Sequence, residues 1–347
     1  MTSREREQYP SLKDVAERAG VSFQTVSKVL RGTAHRVPTS TRDRIVAAAA
    51  ELGYIPNQLA RGLVSRKTRT LGIVASDLGD WALSQFVSAV EREARAKGHA
   101  VIITVVGSDA SDGVQCLRTL IEHRVDGIVA AAPHLEDSSA VADLLRQNGP
   151  AVSLQHVVGG GVSVVGSDHS LVGRIATNHL IKLGHRRIAT ITGVSRRRVT
   201  KSRLTGYRAA LHRAGIAFDP NMLEESDWTA LGGASAAGRL MDRLPGLTAL
   251  VIQNDLMAVG AMSELTRRGR RIPDDVAVVG CDDLPVAAYT SPALTTVHIP
   301  FSETGEVAVA TLLDHIQGRT DSPQRILLPV GLTVRESCGS AMASELA

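Results

Sequence analysis

Residues 22–28 read Ser-Phe-Gln-Thr-Val-Ser-Lys, a run suited to the edges of DNA bases. Gln24 can bond an adenine edge in two places, and Phe23 offers apolar contact to a thymine methyl. Ser22, Thr25, Ser27 and Lys28 add hydroxyls and a charge within two turns of them. A second set of polar residues lies downstream. Ser76, Gln155, Asn254 and Asp282 each stand at or just after an apolar, strand-like run, where open α/β sheets hold their ligands. Asp and Asn there can accept from and donate to paired hydroxyls. Catalytic patterns are missing. The chain has no G-x-G-x-x-G, no Walker A lysine, no H-E-x-x-H and no G-x-S-x-G. Asp282 and Asp283 are neighbours on a strand, so only one can enter a cleft, which argues against paired acid–base work. The expectation is a binding protein and not an enzyme.

The elements that position the first set are helices. Leu12, Val15, Ala16 and Ala19 have i, i+3, i+4, i+7 spacing, with Ser11 as N-cap and Asp14 three residues on in the manner of a capping box. Gly20 ends that helix, and Ser22 caps a second from Phe23 to about Arg31, with Val26, Val29 and Leu30 apolar. A third, about Thr39 to Leu52, carries Ile45, Val46, Ala49 and Leu52 inward and stops at Gly53. Two short helices joined by a three-residue turn make a helix-turn-helix, whose second helix enters the major groove. Charge agrees: residues 1–69 hold 13 Lys+Arg against 6 Asp+Glu, net +7, while the remainder of the chain is net −3. A basic head on a mildly acidic body points to a polyanion.

From Thr70 the pattern changes to strands alternating with helices. Strand-like runs are 71–76, 100–107, 126–132, 151–155, 187–193, 249–253 and 276–282. Helix-like stretches include Leu83 to Lys97, Gly113 to His123, Leu171 to Leu183 and Met257 to Gly269. Such alternation predicts parallel sheets covered on both faces.

The runs DVAERAGVS, TVSKVL and ELGYIPN, with the A-x-x-L that follows, match at the spacing of the LacI/GalR family of bacterial transcription regulators. The chain resembles that family over about residues 11–336. The resemblance implies an N-terminal all-α helix-turn-helix head with a hinge helix, and an α/β body of two Rossmann-like subdomains, the type I periplasmic-binding-protein fold. It places the head at 1–56, the hinge and linker at 57–69, and an effector-binding and dimerisation domain at 70–347. Within that domain the N-subdomain takes about 70–168 and 300–326, and the C-subdomain about 169–299 and 327–340. Crossovers are expected near Ser167–Ser170, Ile299–Pro300 and Arg325–Leu328.

The resemblance also implies roles. Arg31 and Thr41 join the DNA contacts, and Asn57 to Ser65 resembles the hinge helix, which is expected to be disordered away from DNA. Leu63 falls at the position of an apolar wedge for the minor groove, with Ala60 on the same helical face. Asn254 and Asp282 match effector-contacting positions, Arg203 the ligand-clamping arginine, and Trp228 a tryptophan that stacks on a sugar ring. The implied function is a repressor of carbohydrate uptake or utilisation genes. It would act as a homodimer on near-palindromic operator DNA, under a sugar effector held between the subdomains. Gln155 and Ala131 depart from the pattern, so a nucleoside, purine or phosphorylated effector is the alternative. A free solute-binding protein fits less well, since it would lack the basic head.

Composition sets further expectations. No apolar run reaches the ~18–20 residues that span a bilayer, and the N-terminus is polar, so a cytoplasmic protein without a membrane partner is expected. Cys116, Cys281 and Cys338 are far apart, and the histidines are scattered, so no disulfide framework, metal or cofactor is predicted. Arg196, Arg197, Arg198 and Lys201 read as a solvated loop in preference to an anion site. The stretch after Glu336 lacks heptads, which argues against a coiled-coil tetramer.

Overall fold

In the computed structural model of the chain, residues 10–30, 36–55, 67–107, 110–154 and 156–339 are described. The chain divides into two units, parted between Thr68 and Arg69.

The first unit contains α1 (Leu12–Ala19), α2 (Phe23–Leu30) and α3 (Thr39–Glu51). Ser11 and Asp14 form the reciprocal capping box: the Ser11 N–H donates to the Asp14 carboxylate at 2.7 Å, and the Asp14 N–H to Ser11 Oγ at 3.4 Å. Gly20 closes α1 in the left-handed region, φ 62°. Ser22 Oγ then accepts the Thr25 N–H at 3.2 Å and starts α2. Val15, Ala16, Ala19, Val26, Val29, Ile45, Ala48 and Ala49 form the core. One inward residue differs from expectation. Val46 is 52% exposed and Ala48 takes its place, because the stripe on α3 runs 45, 48, 49, 52 at helical spacing.

The second unit holds two sheets. The first is built from β1 (Thr70–Ala75), β2 (Ala100–Val105), β3 (Gly127–Ala131), β4 (Ala151–Ser153), β5 (Ser163–Ser167) and β11 (Arg325–Leu328), all parallel in the order β11-β5-β4-β3-β1-β2. The second comprises β6 (Ile188–Thr192), β7 (Leu223–Glu225), β8 (Ala249–Ile252), β9 (Ala277–Asp282), β10 (Thr295–His298) and β12 (Gly331–Thr333), in the order β12-β10-β9-β8-β6-β7. Only its β10–β12 pair is antiparallel.

Apolar helices cover both faces of each sheet. On the first, α4 (Trp81–Ala96) and α11 (Phe301–Ile316) bury one face, and α5 (Ala110–Glu122) and α6 (Ser139–Gln147) the other. On the second, α9 (Ala230–Arg243) and α10 (Asp255–Arg267) lie opposite α7 (His169–Lys182) and α8 (Arg198–Arg213). Burial on both sides is why most of these strands read as continuous Val/Ile/Leu/Ala runs.

The chain passes between the two lobes three times: from β5 to α7, from β10 to α11, and from β11 to β12. The third passage corrects the expected position. Arg325–Leu328 is itself a strand of the first sheet, paired with Val164 to Ser167, so the crossing falls at Pro329–Val330. Helices α7 and α8 touch closely: a Cβ on Gly173 would stand 2.0 Å from the Arg203 carbonyl, and one on Gly206 1.9 Å from that of Ser170. Two glycines thus seat α8, the carrier of Arg203, against the lobe crossing.

Candidate functional site

In the head, Ser22, Phe23, Gln24 and Lys28 are exposed on the first turns of α2, and Thr25 is half-buried. Phe23 is 48% exposed, a large ring that the core does not use. Ser27 departs from the expectation. It is 6% exposed, because it follows Val26 and lies one turn before Leu30 on the packed side of the helix. Thr41 is half-buried in the first turn of α3. Arg31, Asn57, Ala60 and Leu63 lie outside the described residues, as do the whole expected hinge helix and Gln155.

In the second unit a cleft of about 780 Å³ opens between the lobes at the carboxyl ends of the strands. Ser76, Arg203, Trp228, Asn254 and Asp282 all line it. Arg203 Nη2 donates to Asp282 Oδ1 at 3.2 Å, with the two side chains 6% and 10% exposed. Arg203 Nη1 donates to the Gln253 carbonyl. Burial pushes the Asp282 carboxyl up to about 6, against the pull of Arg203 and with a further push from Asp80. The Cys281 thiol, held far above its ordinary range by burial, stays protonated and donates to Asp282 Oδ1 at 3.4 Å.

Asp282 ends β9 and Asp283 lies beyond it, both at positive φ (109° and 57°), so a turn and not strand alternation sends the two carboxylates apart. Asp283 bonds Arg335 at 2.8 Å, Thr333 at 2.9 Å and His298 at 3.2 Å, none of them cleft-lining. Beneath the β9 turn lies Asp255, fully buried, which accepts from Thr296 Oγ1 at 2.6 Å and from the Leu284 N–H at 2.8 Å. Burial, then the neighbouring charge of Asp282, raises it to about 8. This brace holds the turn that presents Asp282.

Asn254 works mainly as a cap. Its Oδ1 accepts the Met257 N–H at 2.9 Å to start α10, and its Nδ2 donates to the Trp228 carbonyl at 3.0 Å. Trp228 sits at φ 73°, and its ring lies where a Cβ on Gly193 would come within 1.9 Å. Only glycine at 193 admits the indole there.

Several cleft residues escaped the sequence pattern: Asp80, Trp81, His134, Ser167, His169, Arg196 and Arg197. Arg197, half-buried, departs from the solvated-loop reading; Arg196 borders the cleft but is exposed, as are Arg198 and Lys201. Ser167 Oγ, His169 Nδ1, His134 Nε2, Arg197 Nη1 and Arg203 Nε are buried and make no hydrogen bond among the described residues. Polar atoms enclosed without partners are costly in a core, and the residues that carry these five all line the cleft. Enclosure, then the charge of Arg203, pushes His169 down to about 3, so its imidazole is neutral. Donors, acceptors and two indole rings thus line one cleft.

A helix-turn-helix head and a two-lobed, cleft-bearing body together define a ligand-responsive DNA-binding regulator. Residues 11–57 match the family described as bacterial regulatory proteins, lacI family, and residues 177–338 match the periplasmic binding protein-like domain. The chain is 36% identical to the HTH-type transcriptional regulator CelR of Thermobifida fusca, over 96% of this chain and 99% of the relative. It is 34% identical to the lactose operon repressor of Escherichia coli (strain K12), over 94% and 90%. The lac repressor dimer bound to operator and the anti-inducer ONPF superposes with a TM-score of 0.89 at 33% identity, covering 95% of this chain and 99% of that one. A CelR–cellobiose complex gives 0.72 at 35%, covering 94% and 99%. The chain belongs to the LacI family, and it is a DNA-binding transcriptional regulator of that family.

Proposed function

We propose that the protein is a homodimeric repressor of carbohydrate-uptake or utilisation genes, released from or held on its operator by a sugar in the cleft. The observation that carries the sugar reading is the buried Arg203–Asp282 pair facing the cleft beside the Trp228 indole. A rigid guanidinium fork and a carboxylate address paired hydroxyls, and an indole takes the C–H face of a pyranose. The relative solved with cellobiose supports it. Ser76 contributes a hydroxyl from the first lobe, and Asn254 holds Trp228 through its carbonyl.

Ser22, Phe23, Gln24 and Thr25 read base edges and Lys28 meets the phosphate backbone, and two heads on two-fold-related half-sites require a near-palindrome. The protein acts in the cytoplasm, where its operator is, and performs no catalysis. Effector binding draws the lobes together and changes the spacing of the paired heads.

A phosphorylated sugar is the second reading, favoured by Arg196 and Arg197 in the cleft wall. A thermal-shift screen of mono- and disaccharides, sugar phosphates and nucleosides separates the two. A ligand at ~100 times its Kd should stabilise the fold by about 2.7 kcal/mol. A neutral-sugar hit lost in Arg203→Ala supports the first reading. Hits confined to phosphorylated sugars support the second, and hits confined to nucleosides contradict both.

A further inference from the structure

We propose that the outer face of helix α8 is a second nucleic-acid surface, which takes a duplex backbone while the head holds its operator. From His169 to Phe218 the chain runs 50 residues without one Asp or Glu, and this segment carries 11 Lys+Arg. The other residues of 70–347 hold 15 Lys+Arg against 29 Asp+Glu, net −14. The mild net charge of the body therefore hides a strong segregation. The basic segment folds as α7, β6 and α8, with the two helices sharing one face of the second sheet.

Helical spacing sorts the side chains of α8. Thr200, Arg203, Gly206, Tyr207 and Ala210 form its buried side. Arg198, Lys201, Thr205, Arg208 and His212, at i, i+3, i+7, i+10 and i+14, are all exposed and make one outward stripe. At 1.5 Å per residue the stripe is about 21 Å long. A duplex carries one charge per ~1.7 Å of its axis, so such a stripe can meet several phosphates. Among the described residues only Arg198 of this stripe is ion-paired, to Asp137 at 3.5 Å. The Arg208 guanidinium lies over the Phe218 ring at 4.2 Å, a contact that leaves its charge in place. No large apolar side chain is exposed between His169 and Phe218. Protein interfaces centre on aromatic and apolar residues and are poor in Lys, whereas nucleic-acid interfaces are polar and strongly positive. The stripe has the second composition, and its contacts would be to phosphates, without regard to base sequence.

The test uses the full chain saturated with a duplex that it selects from a random pool, so that the heads are occupied. A labelled duplex of unrelated sequence is then titrated in, and its anisotropy is read at several salt concentrations. The expected result is a ternary complex, with a Kd for the second duplex in the ~10⁻⁴–10⁻⁶ M range of non-specific contacts at physiological salt. Lys201→Glu and Arg208→Glu should each weaken the second duplex by about tenfold or more and lower its salt slope by about one. Both should leave affinity for the selected duplex within about twofold. A glutamate near the start of α8 also suits the helix dipole, so Lys201→Glu should keep the fold even where Arg208→Glu, which gives up the Phe218 contact, loosens it. Failure of the unaltered protein to take the second duplex, or equal uptake by both variants, overturns the second surface and leaves the operator-binding head in place. Polyglutamate bound in preference to the duplex, and lost in the same variants, would assign the face to an acidic protein partner and overturn it as well.

Discussion

Glu136 accepts the backbone N–H of Arg198 at 3.0 Å, and so caps helix α8 from across the cleft. That helix has no side-chain cap of its own: its N-cap position is Arg197, whose side chain makes no such bond. Asp137 adds an ion pair to Arg198 at 3.5 Å, half exposed and therefore worth little by itself. The first lobe thus holds the end of the helix that carries Arg203, and the state of the cleft is tied to the order of the helix that binds in it.

Burial of Glu136 should make stability depend on pH, although the bond from the Arg198 N–H itself favours the ionised carboxylate. Burial pushes the Glu136 carboxyl up to about 7, Asp137 adds to the rise, and Arg198 and Arg197 oppose it. A carboxyl raised by burial in the folded protein contributes stability that is fully present below its ordinary value, near 4.5, and is lost as pH rises through about 7. The melting temperature should therefore fall between pH 5 and pH 8. Asp282, at about 6, contributes in the same direction. Glu136→Gln should flatten the Glu136 share of this slope. Melting curves of both proteins across that interval check it, and identical slopes would contradict the assignment.

Asp282 and Arg203 form a buried pair, and removing one partner strands the other. Asp282→Ala should cost about 3–5 kcal/mol of stability, a penalty set by the unpaired guanidinium. Denaturant unfolding measures it. A loss below ~1 kcal/mol would mean that Arg203 finds other partners or water when Asp282 is gone.

Gly193 is the seat of the Trp228 indole. Gly193→Ala places a methyl 1.9 Å from the ring, so the side chain must move. Overpacking of this kind costs typically ~1–3 kcal/mol. The specific signature is a changed Trp228 emission, read in a Trp81→Phe background, with sugar affinity reduced. Unchanged emission would place the ring elsewhere.

The head residues divide by role. Gln24 is exposed on the first turn of α2, so alanine there should leave folding intact. Gln24→Ala should relax specificity at one base pair by about 1–3 kcal/mol. Lys28→Ala should weaken all duplexes alike and lower the salt slope by about one. Anisotropy titrations on duplexes selected by the protein, at several salt concentrations, separate the two effects. Ser27→Ala, at a buried position, should not behave as a base-contact variant.

The head is legible in the sequence because short amphipathic helices declare both their period and their caps: Ser11, Asp14, Gly20 and Ser22 all act as their types suggest. Val46 misleads because the Ala-rich stretch 46–50 has little apolar contrast, and only packing decides which residue turns inward. The long strands of the body declare themselves as apolar runs. β7, with sequence Leu-Glu-Glu, β10, β11 and β12 do not, since strands of three or four residues with polar members are too short to show a pattern. Asp282 and Asn254 are found by their place after strands, but the capping work of Asn254 leaves it less free for ligand than its position suggests. His169, Arg197 and Asp80 are invisible to any local pattern: they meet only because the chain crosses between lobes, and their spacing in sequence carries no trace of that.

The most direct measurement is the coupling between the two functions. The full chain is titrated onto a duplex selected from a random pool, with and without a saturating sugar found to bind, and the sugar is titrated with and without that duplex. The account predicts that each ligand changes the affinity of the other by the same factor, about 5–150-fold for a typical coupling of ~1–3 kcal/mol. Operator affinity that is the same in the presence and absence of the bound sugar would contradict it.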